Sequence, residues 1–232
     1  MTRRERQHDN IREEIKALAR QHMAEQGTAG LSLRAIARDM EMTAPALYRY
    51  FPAREDLITA LILDAFNALA DTLQAADNAC VHEDYTGRML NIMKVYRQWA
   101  LENAVDFQLI YGNPIPGYSA PGELTVPAVQ RGFIVIVTIL ADALAAGTLK
   151  LPPEYEQLPP SVDHHLRILI ERDQYPIIPQ LLYLGIATWT RMHGMIMLEL
   201  YHHLGPTIGN VDDFYHHEIT TFLQHLGLDP GP

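Results

Sequence analysis

The sequence predicts an all-α protein with a small helical head followed by a larger helical body. Three observations carry that prediction. Apolar residues recur at helical spacing along nearly the whole chain, no segment shows the alternation of a strand, and Pro and Gly cluster between the periodic stretches rather than within them. The boundary is expected near Arg54, giving a head at residues 1–54 and a body at residues 55–232.

The first helix is expected to start at Asn10, with Glu13 three residues on as a capping-box partner. Ile11, Ile15, Leu18, Ala19 and Met23 form its apolar stripe and Gly27 closes it. Arg3, Arg4 and Arg6 precede it and read as a short basic arm. A second, short helix is expected from Leu33 to Met40, capped by Ser32, with Leu33, Ile36, Ala37 and Met40 facing inward. After a tight break comes a third, Thr43 to Tyr50, with Thr43 as cap and Pro45 tolerated in the first turn. Pro52 disfavours helix at Phe51 and ends the unit. Two short helices joined by such a turn form the unit that places a helix in the DNA major groove.

Beyond Arg54 the body reads as a long helix to about Ala76, helices near Tyr85 to Asn103 and Val105 to Tyr111, and a Pro/Gly-rich loop from Gly112 to Gly122. A strongly apolar helix follows from Pro127 to Ala146. After a second loop, Leu151 to Pro160, come a segment around Asp163 to Arg172 and two final helices, Pro176 to Leu204 and Val211 to Leu226.

Charge sharpens the DNA reading. The chain has 232 residues and a net charge of −10. Residues 1–54 carry 10 Lys/Arg and 7 Asp/Glu, a net of +3, so the remainder carries −13. A basic head on an acidic body confines DNA contact to the head. The single cysteine, Cys80, excludes a disulfide framework, the polar N-terminus does not read as a signal peptide, and no unbroken apolar run is long enough to span a bilayer. A cytoplasmic protein with no membrane partner is expected.

The pattern TxxxLYRYFPxREDL, read from Thr43 through Leu47, Tyr48, Arg49, Tyr50, Phe51 and Pro52 to Arg54, Glu55, Asp56 and Leu57, resembles the TetR family of bacterial transcriptional regulators. The segment Ile11 to Gly27 resembles that family's first helix. Three positions depart from the family's usual pattern: Glu41 stands where Gly is usual in the turn, Ala53 where Ser or Asn caps the fourth helix, and Arg54 where Lys is usual. A left-handed Glu41 costs about 1–2 kcal/mol relative to Gly. Arg54 keeps the charge and can grip phosphate bidentately.

In the body, Tyr96 to Gly112, Pro114 to Pro121 and Trp189 to Leu200 resemble the C-terminal domain of a TetR subgroup known for a Trp-His-Gly signature, here Trp189, His193 and Gly194. That resemblance implies effector sensing and dimerisation. Trp189 and His193 are one turn apart on a helix face. Together with Trp99, Phe107, Tyr111, Met192 and Ile196 they are candidates for an adaptable apolar pocket. Plain core packing explains the same residue types. Gly194 inside a helix costs about 1 kcal/mol against Ala, which suggests close packing or a cavity there.

The pairs His164/His165, His202/His203 and His216/His217 do not read as metal ligands, because adjacent helical residues diverge by about 100° and no Cys or carboxylate recurs at ligand spacing. No paired acid and base or activated nucleophile appears, so no enzyme and no cofactor are expected. The last two helices carry more apolar surface than one face needs, as a four-helix bundle with a second subunit's pair would require, the alternative being that they complete the core of a single subunit.

These readings point to a homodimeric regulator of a palindromic double-stranded operator controlled by a small-molecule effector, and the family resemblance implies that it is a repressor released by that effector. The alternative is a helical small-molecule-binding protein with weak or lost DNA binding. Arg34, Thr43, Tyr48, Tyr50 and Arg54 are the expected phosphate contacts, Arg49 the guanine reader, and Ala44 and Ala46 the thymine-methyl contacts.

Overall fold

The computed structural model describes residues 2–173 and 175–229. Among these residues the chain is helical with no strand. It divides into two compact units, one formed by residues 1–68 and 103–129 and the other by residues 69–102 and 130–232.

The first unit opens with α1 (Arg3–Gln26), which begins seven residues earlier than the Asn10 start the sequence suggests. Thr2 supplies the reason. Its side chain accepts the Glu5 N–H while the Glu5 carboxylate accepts the Thr2 N–H at 2.7 Å, a complete capping box. Arg3, Arg4 and Arg6 therefore belong to a helix and not to a loose arm. Gly27, at φ 75°, closes α1 as expected.

A 3-10 turn (Thr28–Gly30) leads to α2 (Leu33–Asp39), capped by Ser32 through the Ala35 N–H, and to α3 (Ala44–Leu47). Thr43 sits at the cap position of α3 but its side chain makes no capping hydrogen bond. Ile36, Leu47 and Phe51 are buried with Ile15, Ala19 and Leu57 in one core, onto which Met40 packs from the side. Two polar residues of α1 are buried as well. Lys16 reaches Glu13 and Asp64, and His22 Nε2 lies 2.7 Å from Asp39 Oδ2 at the end of α2.

Helix α4 (Arg54–Asn78) contributes residues to both units. Asp56 accepts the Ala53 N–H at 2.9 Å and so does the capping that Ala53 cannot. The first unit is completed by α6 (Ala104–Tyr111), the loop that follows it, and the first turns of α7 (Gly122–Ala145). Arg20 holds Asp106 of α6 with two contacts at 2.9 and 3.0 Å. Burial pushes the Asp106 carboxyl upward against the opposing pull of Arg20.

The second unit contains α5 (Tyr85–Glu102), the rest of α7, a short α8 (Pro153–Glu156), α9 (Pro160–Asp173), α10 (Pro179–Leu200), a short α11 (Gly205–Ile208) and α12 (Val211–His225). By length and average composition α7 is apolar enough to cross a membrane, although Gln130, Arg131, Thr138 and Asp142 interrupt its apolar run. Val135, Ile136, Ile139, Leu140 and Ala143 of α7 are buried in the unit, as in the core helix of a globular domain. Ion pairs tie these helices together. Arg97 of α5 bridges Glu199 of α10 and Asp212 of α12, and Tyr215 of α12 donates to the Met93 carbonyl at 2.7 Å.

Gly194 is not a site of close packing, because a Cβ there would meet nothing within 4 Å. The close approach belongs to Gly185, where a Cβ would lie 2.9 Å from Val137 Cγ2 and 3.3 Å from the Phe133 ring. The Trp-x-x-x-His-Gly pattern drew attention to the wrong glycine, since periodicity does not reveal which face of α10 meets α7.

Candidate nucleic-acid interface

The turn between α2 and α3 sets the angle of the recognition helix. The Met42 N–H donates to the Ala37 carbonyl at 2.8 Å and the Glu41 N–H to the Arg38 carbonyl at 3.0 Å. These are the two bonds of a Schellman motif, which needs a left-handed residue after the cap. That residue is Glu41, at φ 54°. The turn geometry usual for Gly is therefore kept at the cost of strain in a non-glycine residue.

Beyond the turn, Thr43, Tyr48 and Arg49 are exposed, and Ala44 and Ala46 are half-exposed along α3. Arg34 is exposed on α2. Tyr48, Arg34 and Arg54 line one shallow hollow with Leu31, Ser32 and Leu33. Arg54 is held there by its Nε, which donates to the Leu31 carbonyl at 2.9 Å. Tyr50 is half-buried, its ring 4.8 Å from that of His8, and its carbonyl accepts from Arg12 Nη1 at 2.5 Å. The Arg12 guanidinium also lies 4.2 Å over the Phe51 ring. His8 and Arg12 were missed by the sequence reading. The only available signal was their i, i+4 spacing on α1, which does not show what the helix passes.

The candidate effector residues fall into two groups. Trp189 and His193 lie one turn apart on α10 with ring centroids 5.2 Å apart. Trp189 Nε1 donates to Tyr96 Oη at 3.2 Å, and Tyr96 Oη lies 3.4 Å from His193 Nδ1. Trp99, Met192 and Ile196 are buried in the same unit, and burial pulls the His193 imidazole below its ordinary value. Phe107 and Tyr111 belong to the other unit, where Tyr111 packs edge-on to both Phe107 and Phe66. Tyr96 carries the polar link of the first group and was not among the predicted residues.

Residues 15–61 match the family of bacterial regulatory proteins named for tetR, and residues 89–222 match the tetracyclin repressor-like C-terminal domain. The chain belongs to the TetR family. The HTH-type transcriptional regulators Rv1816 of Mycobacterium tuberculosis and Mb1846 of Mycobacterium bovis are each 32% identical over 197 residues, which cover 85% of this chain and 83% of theirs. The crystal structure of SCO4313 is 34% identical, with a TM-score of 0.78, covering 96% of this chain and 100% of that one. The TetR family regulator PfmR of Thermus thermophilus, 15% identical over 90% of this chain and 97% of its own, shares the fold at a TM-score of 0.61. This TetR-family chain is accordingly a DNA-binding transcriptional regulator and not an enzyme.

Proposed function

We propose that the protein is a homodimeric cytoplasmic repressor that leaves a palindromic operator when a small molecule binds its body. Residues 1–54 serve DNA and residues 55–232 serve the effector and the second subunit. The observation that carries the reading is the recognition segment itself, an exposed run of Thr43, Tyr48 and Arg49 flanked by Arg34 and Arg54 and set by the Glu41 turn. Arg34, Thr43, Tyr48, Tyr50 and Arg54 take phosphates, Arg49 reads guanine, and Ala44 and Ala46 meet thymine methyls. So small-sided a face offers few hydrogen bonds to bases, so DNA shape supplies much of the specificity.

Dimerisation is supported by an uncovered stripe on α10. Tyr183, Ile186, Thr190, Gly194 and Leu198 follow one another at three- and four-residue steps with Ala187 beside Ile186, and Ile186 and Leu198 are 37% and 46% exposed. A second copy pairing this stripe and α12 with its own would bury it and set the spacing of the two heads.

The effector is sensed around Tyr96, Trp189 and His193, three hydrogen-bonding groups set among Trp99, Met192 and Ile196. That chemistry suits a largely apolar molecule with one polar group. A tenfold loss of operator affinity needs a coupling of only about 1.4 kcal/mol.

The test is selection of duplexes from a random-sequence library, followed by equilibrium binding across salt concentrations. A palindromic consensus bound by two subunits, with a steep salt dependence, is the expected result. Binding no tighter than to random sequence would favour the alternative, an effector-binding helical protein without operator function.

A further inference from the structure

We propose that the first turns of α1 form a second DNA-contacting element, in which Arg4 and His8 receive a backbone phosphate beyond the footprint of the recognition helix. The proposal rests on the DNA-binding reading above and extends it to a segment that neither matched domain model covers, since the matched residues begin at 15.

The argument starts from the capping box. Thr2 and Glu5 cap α1, so the charges of its first turns are spaced as on a regular helix. Arg4, His8 and Arg12 are spaced at i, i+4 and i+8 and form one stripe along it. The stripe is located at two points. His8 stacks on Tyr50 at 4.8 Å, and Arg12 donates to the Tyr50 carbonyl. Tyr50 ends the recognition segment, so the same face of α1 that meets that segment carries Arg4 onward past it. At 1.5 Å per residue, Arg4 stands about 12 Å along the helix from Arg12. Along DNA that distance is the rise of about three to four base pairs.

The local chemistry suits a phosphate. Arg4 and His8 border an open hollow with Thr2, Glu5 and Asp9. Its two carboxylates oppose an anion, but Glu5 is occupied by the Thr2 N–H and Asp9 lies 3.6 Å from His8 Nδ1. Arg4 is exposed and makes no ion pair with any described residue. Arg3 and Arg6 are also exposed, but they lie about 100° and 160° around the helix from Arg4. They add charge without sharing the stripe.

That difference of face provides the test. Binding is measured as a function of salt on the selected operator, once with long flanks and once with flanks trimmed to the recognition-helix footprint. The wild type should show a steeper log–log slope on the long duplex. Arg4→Gln should lose about 0.9 of slope per bound subunit and become indifferent to flank length. The double variant Arg3→Gln/Arg6→Gln removes more charge and should keep the difference between long and trimmed flanks. The proposal is overturned if Arg4→Gln retains the flank effect, or if the Arg3/Arg6 variant abolishes it as well, which would mean diffuse attraction. A wild type that binds the selected duplex but ignores flank length overturns this proposal alone, whereas a wild type that selects no duplex overturns the DNA-binding reading with it.

Discussion

Arg88 grips Asp77 across the second unit, with Nε 2.7 Å from Oδ1 and Nη2 3.2 Å from Oδ2. The same guanidinium reaches Asp142 at 3.2 Å and the His82 carbonyl at 3.0 Å, and the Arg88 side chain is only 3% exposed. One buried cation thus joins the end of α4 to α5 and α7. Removing a partner from a buried pair strands the other charge. Asp77→Asn should lower stability by about 3 kcal/mol, measured by urea denaturation of the unliganded protein.

The strain at Glu41 and its charge are separable. Glu41→Gly relieves a left-handed non-glycine residue worth about 1–2 kcal/mol, less about 0.4–1 kcal/mol for the freer unfolded chain. A net gain in stability of about 0.8 kcal/mol follows from the centres of those ranges, together with tighter operator binding as a carboxylate leaves the DNA face. Glu41→Gln should tighten binding without the gain in stability. Equal stability changes in both variants would show that the backbone conformation is not the source of the strain.

Arg49 and Arg54 should fail differently. Arg49→Ala is expected to relax discrimination at one base position, at a cost of about 1–3 kcal/mol against the preferred base. Arg54→Ala should weaken all duplexes alike and reduce the salt slope by about 0.9 per subunit. It should also lower stability somewhat, because Arg54 bonds the Leu31 carbonyl. Parallel binding of the two variants to selected and randomised duplexes separates the roles.

His193 makes stability depend on acidity in one direction. Burial lowers its folded-state pKa below the ordinary 6.5. Below that ordinary value the unfolded chain takes up the proton more readily than the folded one, so stability rises with pH in this window. The contribution is complete above about pH 6.5 and is lost as pH falls toward the folded-state value. His193→Gln should flatten the urea-midpoint profile on the acid side of neutrality. An unchanged profile would assign the acid loss to other groups.

The two glycines of α10 should respond oppositely to alanine. Gly185→Ala pushes a methyl group to 2.9 Å from Val137 Cγ2 and should cost about 1–3 kcal/mol. Gly194→Ala meets nothing within 4 Å in the subunit and gains about 1 kcal/mol of helix propensity. If the α10 stripe pairs with a second copy, Gly194→Ala also shifts the concentration dependence of dimerisation, which sedimentation reads directly.

The helices were legible from periodicity because their buried stripes are regular, as with Ile15, Ala19 and Met23 on α1. The head was legible to the level of Pro45 and Pro52, residues whose backbone restrictions act locally. Contacts between distant segments left no such trace. The pairs of Lys16 with Asp64 and His22 with Asp39 have no signature in the sequence, because nothing in the spacing of α1 shows which neighbour covers it. Tyr96 escaped notice for the same reason: its role comes from Trp189 and His193, more than ninety residues away. The expected start of α1 at Asn10 is displaced because the Thr2–Glu5 capping box starts the helix about two turns earlier.

Helix α4 runs from Arg54 to Asn78 without a glycine or proline. Such a rod has a rotational phase, and each inserted residue would turn everything beyond it by about 100° and advance it by about 1.5 Å. Chimeric regulators that join this head to another body inside α4 must therefore conserve residue count as well as sequence. A junction one residue out of step would leave both parts folded and aim the head away from its operator.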